Sequence, residues 1–307
     1  MDNGFDVFLL GAGASHGSGE CEPEPPPLGA ELYERLLRRP AFRHLIPPNF
    51  VAVPCDFEAT LSKLWDEHPE RMIPVLNEAA IFFSEFRPGA GNFYVELGSR
   101  IRHRANQTVI ASLNTEMLIE MSLFASGVPC HYEGTLPARG AMILKPHGSV
   151  NFLPTLAGSD VAAMSPRDNK RLVALEQCNA IQVVSEPAEV RHYIHTTGLP
   201  PMVAAYLPNK PIPFCSAVIR DLWATWQRVL LGARSLTIIG VGLDGVAPHV
   251  KDPLIMLRCN VEYVGPDPDA QAKLTKLAPR ASSVSVVATT FADYARQPDS
   301  RRSYHLW

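Results

Sequence analysis

The residues Asp6 to Leu10 form a largely apolar run that passes directly into Gly11-Ala12-Gly13-Ala14-Ser15-His16-Gly17-Ser18-Gly19. A run with no polar face cannot turn one side to water, so it suits a strand covered on both faces by crossover helices in a parallel sheet. Further runs of this kind lie at Thr108 to Leu113, Ala141 to Leu144, Ser235 to Gly240, Asn260 to Val264 and Ser283 to Ala288. Helical patterns separate many of them, at Glu116 to Ala125, Ala217 to Leu231, and Asp269 to Leu277 after the Pro266-Asp267-Pro268 turn. This alternation predicts an α/β fold: a doubly wound, Rossmann-like parallel sheet. Hydrophobic residues make up 46% of the chain, enough to build the core such a sheet needs.

We expect residues 1–307 to form a single domain with a helical insertion after the first strand, at about 40–107. Within it Phe57, Leu61, Leu64 and Trp65 keep the spacing of one helix face. A second excursion, at about 153–213, carries short apolar runs at Ile181 to Val184 and Met202 to Tyr206, but its pattern gives no assignment. Glu22 to Pro27 reads as a stiff loop.

Charge narrows the functional classes. Lys and Arg number 28 against 31 Asp and Glu, so no chain-wide basic field exists to hold a phosphate backbone, and direct nucleic-acid binding is not expected. Without an apolar stretch of roughly 18 residues no membrane helix is expected. The opening residues read as a strand and not a targeting segment, so the protein is expected to be soluble and cytoplasmic. Cys21, Cys55, Cys130, Cys178, Cys215 and Cys259 are widely spaced with no close pair, so the expectation is isolated, mostly buried thiols and no structural zinc.

Candidate chemistry gathers at the ends of the strands. Gly11, Ala12, Gly13 and Ser15 follow the first strand, where glycines let a backbone approach a diphosphate; a turn of positive φ explains them equally well. His16 stands where a dinucleotide fingerprint needs its third glycine. Asn114 and Glu116 follow the second strand; Asn114 can grip ribose hydroxyls or water, or else cap a helix that begins at Thr115. His147 and Gly148 follow the third, placing a general base, or a structural hydrogen-bonding imidazole, at a strand terminus. Gly240 and Gly242 form a later glycine turn, and Asp267 stands where an acid binds the adenosine ribose, or simply makes a turn. Trp223 and Trp226, on one helix with Val218, Leu222 and Val229, read as core.

In this order the motifs GAGAS, S-L-N-x-E, K-P-H-G-S and I-I-G-V-G, spread over residues 6 to 265, resemble the sirtuin family. The resemblance implies that NAD+ is the substrate, that the glycine loop holds its diphosphate, that Asn114 holds the nicotinamide-side ribose and water, and that His147 is the general base. The departures are a missing four-cysteine zinc ribbon, Glu22-Pro23-Glu24-Pro25 in place of the I-P-D-F-R stretch, and Glu116 where an Asp is usual. They are similar to those of the zinc-less bacterial branch that hydrolyses NAD+ in antiphage defence. That branch implies an NAD+ glycohydrolase working as a homo-oligomer, or with a regulatory partner such as a hexameric DNA-translocase-type ATPase or an Argonaute-like protein. A zinc-free deacylase or ADP-ribosyltransferase, and a non-catalytic NAD or ADP-ribose sensor, are the alternatives.

Overall fold

The computed structural model describes residues 4–132, 139–156, 175, 178–203 and 215–297. In chain order its strands are β1 (Phe5–Leu10), β2 (Gly19–Glu22), β3 (Arg87–Asn92), β4 (Thr108–Ser112), β5 (Cys130–His131), β6 (Ala141–Leu144), β7 (Phe152–Pro154), β8 (Ile181–Val183), β9 (Ala233–Ile239), β10 (Asn260–Val264) and β11 (Ser283–Ala288). Seven of them form one parallel sheet in the order β11-β10-β9-β1-β4-β6-β5. β1 is central, and the chain builds outward from it first through β4 and later through β9.

The apolar runs alternate faces as a pleated strand must. Phe8 and Leu10 of β1, with Ile110, Ile143, Ile239 and Val264, face a layer that contains Leu36, Leu64, Leu97, Leu123 and Phe291. Val7 and Leu9, with Val109, Leu144, Leu236 and Ile238, face Trp226, Val229 and Leu230 of the helix Ser216–Leu231. Trp226 is therefore core, and its indole N–H is satisfied by the Val250 carbonyl at 3.1 Å. Trp223, read as core, is only partly buried and packs at the edge of another cluster.

Several boundaries move for local reasons. The helix expected from Glu116 begins at Leu118. The carbonyls that would start it are taken: Thr115 accepts from Val150 N–H at 2.9 Å, and Glu116 accepts from the Lys145 ammonium at 2.7 Å. Asn114 is therefore not a helix cap. β9 ends at Ile239, because Gly240 turns out of the strand with φ +62°.

The insertion carries the helices Pro40–Leu45, Phe57–Glu67, Met72–Phe83 and Phe93–Ile101. It also contains β3, which its Pro-Gly-Ala-Gly composition did not suggest, paired antiparallel to β2 beyond the glycine turn. In the 153–213 excursion β8 pairs with β7 and precedes the helix Pro187–Thr197; the end of the Met202 to Tyr206 run lies outside the described residues. The cysteines correct one expectation: Cys178 and Cys215 are buried near each other and so are not isolated, while Cys21 and Cys130 are half-buried and Cys55 is exposed.

Candidate active site

The strand order reverses at β1, with β4 added on one side and β9 on the other, and ligands of open α/β sheets bind outside the strand carboxyl ends at such a switch point. Here a cleft of about 740 Å³ opens there, lined by Gly11, Ala12, Gly13, Asn114, His147, Gly240, Gly242 and Asp267 among others. Eight of the eleven residues singled out from the sequence thus meet in one hollow of the size that small-molecule sites occupy. Ser15, Glu116 and Gly148 do not line it.

The two glycine turns meet backbone to backbone. Gly11 N–H donates to the Ile239 carbonyl and Gly13 N–H to the Gly240 carbonyl, each at 2.9 Å. A Cβ on Gly11 would lie 2.6 Å from the Gly240 oxygen, and one on Gly240 would lie 2.0 Å from the Ala14 nitrogen. Close approach of β1 and β9 therefore explains these glycines. Gly242 differs, since a Cβ there would meet nothing within 4 Å. Its missing side chain leaves the cleft open.

Asn114 joins the glycine turn to β4. Its Nδ2 donates to the Gly11 carbonyl at 2.9 Å and to Ser15 Oγ at 2.7 Å. A backbone carbonyl only accepts, so the amide orientation is chemically fixed. Oδ1, which bonds no described residue, remains as the acceptor that suits a ribose hydroxyl or a water. Behind it, Ser15 hydrogen-bonds to Glu116 and contacts the Tyr94 hydroxyl at 2.9 Å. Burial raises the Glu116 carboxyl against the opposing pull of the Lys145 ammonium. Lys145 is fully buried and donates to the carbonyls of Asn114 and Glu116 at 3.0 and 2.7 Å while pairing with Glu120 at 3.1 Å. Ser15 and Glu116 thus form the wall that holds Asn114.

His147 is presented by a pinned turn. Gly148 adopts φ +72°, and a Cβ there would lie 2.1 Å from the Met202 carbonyl, so this glycine serves packing away from the cleft. Ser149 N–H donates to that same carbonyl at 2.8 Å, and the Trp223 indole donates to Pro146 at 2.9 Å. His147 hydrogen-bonds to the Leu113 backbone, and its Nε2 is buried without a partner. Burial pushes the imidazole down to about 4, so it is neutral around pH 7. His249 stands beside it, ring centroids 5.1 Å apart, and stacks on Trp223 at 4.2 Å.

Asp267 is on the cleft but committed. Its Oδ1 accepts from Asp269 N–H at 2.9 Å, and its Oδ2 accepts from Lys273 at 2.9 Å. Lys273, bridged also to Asp244 at 2.7 Å, went unnoticed in the sequence, as did Glu58, which reaches the cleft from the insertion helix Phe57–Glu67. Lys273 stands six residues beyond Asp267 and could have been paired with it. Glu58 gives no such signal, because only tertiary packing sets the insertion against the sheet. Among the described residues no group of three or more His, Cys, Asp or Glu is placed to hold a metal ion, and no helix is long and apolar enough to cross a membrane.

No family model matches the chain, and no curated protein matches it in sequence. Among solved structures it is similar to a Sir2 homologue in complex with NAD, at TM-score 0.50 and 16% identity over 94% of this chain and 86% of that one. Sir2 bound to the inhibitor EX-527, 2′-O-acetyl-ADP-ribose and a deacetylated p53 peptide matches at TM-score 0.48 and 14% identity, over 95% and 91%. The first carries the comparison, and at that identity it shows the fold: the chain has a sirtuin-like, Rossmann-like α/β fold.

Proposed function

We propose that this chain is an NAD+ glycohydrolase that cleaves the nicotinamide–ribose bond with water and releases nicotinamide and ADP-ribose. The observation that carries the reading is the meeting, at the switch point of a sirtuin-like sheet, of two glycine turns, the acceptor Oδ1 of Asn114 and the unpartnered Nε2 of His147. The solved Sir2 homologue of this fold was captured with NAD, which supports the same ligand class.

The residues fit that ligand. The glycine turns offer a floor without side chains to a diphosphate. Asn114 Oδ1 accepts from a ribose hydroxyl, and neutral His147 accepts a proton from a neighbouring one. The bond breaks through an oxocarbenium-like state, so holding the ribose in the reactive geometry is the main contribution the cleft makes. Asp267, held by Lys273 and the Asp269 N–H, has acceptor sites left on both oxygens for an adenosine ribose hydroxyl.

Water is the favoured acceptor because the scattered cysteines supply no zinc ribbon to frame a peptide groove, and metal analysis is expected to find no stoichiometric zinc. By the same resemblance the chain is the NAD-depleting effector of an antiphage system. It is held inactive in a homo-oligomer or by an ATPase or Argonaute-like partner until triggered. Light scattering of the protein with and without the product of its neighbouring gene tests that assembly.

Incubating the purified protein with NAD+, alone, with that gene product and with an acylated peptide, tests the chemistry. Nicotinamide release without peptide supports hydrolysis. Release that requires peptide makes the protein a deacylase, and binding without turnover in every condition makes it a sensor. Chromatography separates linear from cyclic ADP-ribose.

A further inference from the structure

Beside the nucleotide cleft lies a smaller recess of about 140 Å³ with apolar walls that include Leu32, Phe57, Leu61 and Phe83. Glu58, Leu113 and His147 line both hollows and so mark their junction. If the ribose and diphosphate lie along the glycine turns and the flat nicotinamide ring enters the apolar recess, the scissile bond falls at this junction. Two titratable side chains stand there, Glu58 and His147.

The cleft carries three carboxylates, Glu58, Asp244 and Asp267. Asp244 and Asp267 are neutralised by Lys273, at 2.7 and 2.9 Å. Glu58 makes neither a hydrogen bond nor an ion pair with any described residue. It stands in the first turn of its helix, whose N-terminal amide is capped by Asp56 accepting from Ala59 N–H at 2.8 Å, so Glu58 is not the cap. Its side chain is exposed, so the carboxylate is open to water at the junction of the two hollows.

We propose that Glu58 is a catalytic residue of this cleft, the group that accepts the proton of the attacking water. The proposal rests on the glycohydrolase reading. The water oxygen bonds to C1′ of the ribose while the C1′–nitrogen bond breaks and its electron pair returns to the nicotinamide ring. The proton released from the water passes to the Glu58 carboxylate and from there to solvent, giving nicotinamide, ADP-ribose and one proton from NAD+ and water. A base works best when its own pKa lies near the working pH. Partial desolvation against the cleft wall, then the neighbouring Asp56 carboxylate, raises the exposed Glu58 toward neutral pH, whereas burial lowers His147 to about 4. Glu58 is the better matched proton acceptor of the two, and His147 is left to the ribose hydroxyl. The other charged groups facing it across the cleft, Asp244, Asp267 and Lys273, form one bridged set.

The test compares wild type, Glu58→Gln and Glu58→Ala for NAD+ binding by calorimetry and for nicotinamide release across pH, with and without added formate. We expect wild-type affinity in Glu58→Gln, a fall in turnover of about 10²- to 10⁴-fold, and partial recovery of Glu58→Ala by formate, which replaces the lost carboxylate. Wild-type turnover in Glu58→Gln overturns the assignment and leaves the glycohydrolase reading standing. Loss of binding in Glu58→Gln, with its melting temperature intact, makes the residue a ligand contact and also overturns the assignment. A wild-type protein that fails to cleave NAD+ both alone and with the product of its neighbouring gene removes the reading, and the role of Glu58 with it. Should Glu58→Ala fail to fold, the isosteric Gln variant decides alone.

Discussion

The amide nitrogen of Asn114 donates to the carbonyl oxygen of Gly11 across 2.9 Å and so fastens the end of β4 to the glycine turn after β1. One side chain thereby sets the spacing of the two walls between which a nucleotide would lie. Asn114→Ala deletes this bond and the one to Ser15, each worth about 1 kcal/mol net. The variant is expected to fold with a modestly lowered melting temperature and to lose most nicotinamide release. Asn114→Asp should be worse in stability, because it turns a carboxylate oxygen toward a carbonyl. Near-normal turnover in a destabilised Asn114→Ala would show a purely structural bond.

His147 gives a pH signature. Its imidazole falls from the ordinary 6.5 to about 4 in the fold, with burial as the cause. Above pH 6.5 neither the folded nor the unfolded chain carries this proton, and the group contributes no pH dependence. Between about 6.5 and 4 the unfolded chain takes up a proton that the folded chain refuses, so stability falls as the pH is lowered through that window. His249, held down to about 3, adds to the same loss. His147→Gln should therefore flatten, without abolishing, the acid limb of a stability profile measured by urea unfolding, and should cut nicotinamide release sharply. Equal slopes for variant and wild type would mean that the imidazole is not desolvated.

The buried ammonium of Lys145 is a third test. It satisfies two turn carbonyls and pairs with Glu120, whose side chain is 10% exposed. Lys145→Met strands that carboxylate, and breaking a buried pair costs about 3–5 kcal/mol. Adding Glu120→Gln should recover part of the loss, the sign of direct coupling in a double-mutant cycle. Additive effects would place the stabilisation in the carbonyl contacts alone.

The sheet was legible because burial on both faces writes itself into sequence as continuous apolar runs, and the cleft because strand ends gather glycines and polar side chains. Less could be read where tertiary contacts decide. Thr115 looked helical until its carbonyl proved to be held by Val150. Glu116 and Ser15 carry polar groups suited to a ligand, yet they point into the wall and bond to each other. Gly148 sits beside His147 in the chain but packs on Met202. Glu58 belongs to a helix whose sequence says nothing of which cleft it will face.

The glycines supply the sharpest separation of fold from function. Gly240 has φ +62°, and a Cβ on it would lie 2.0 Å from the backbone nitrogen of Ala14. Neither backbone can move without breaking the Gly13 to Gly240 hydrogen bond. Gly240→Ala should therefore destabilise the protein strongly and reduce NAD+ binding only as a consequence of that damage. Gly242 is two residues away on the same turn, lines the same cleft and meets nothing within 4 Å. Gly242→Leu can fold, because its side chain enters open space, and the space it enters is the proposed ligand volume. The expected result is a melting temperature close to wild type with NAD+ binding lost in calorimetry, the reverse of Gly240→Ala. If Gly242→Leu binds NAD+ as wild type does, the ligand does not lie along this turn, and the cleft has been assigned to the wrong molecule.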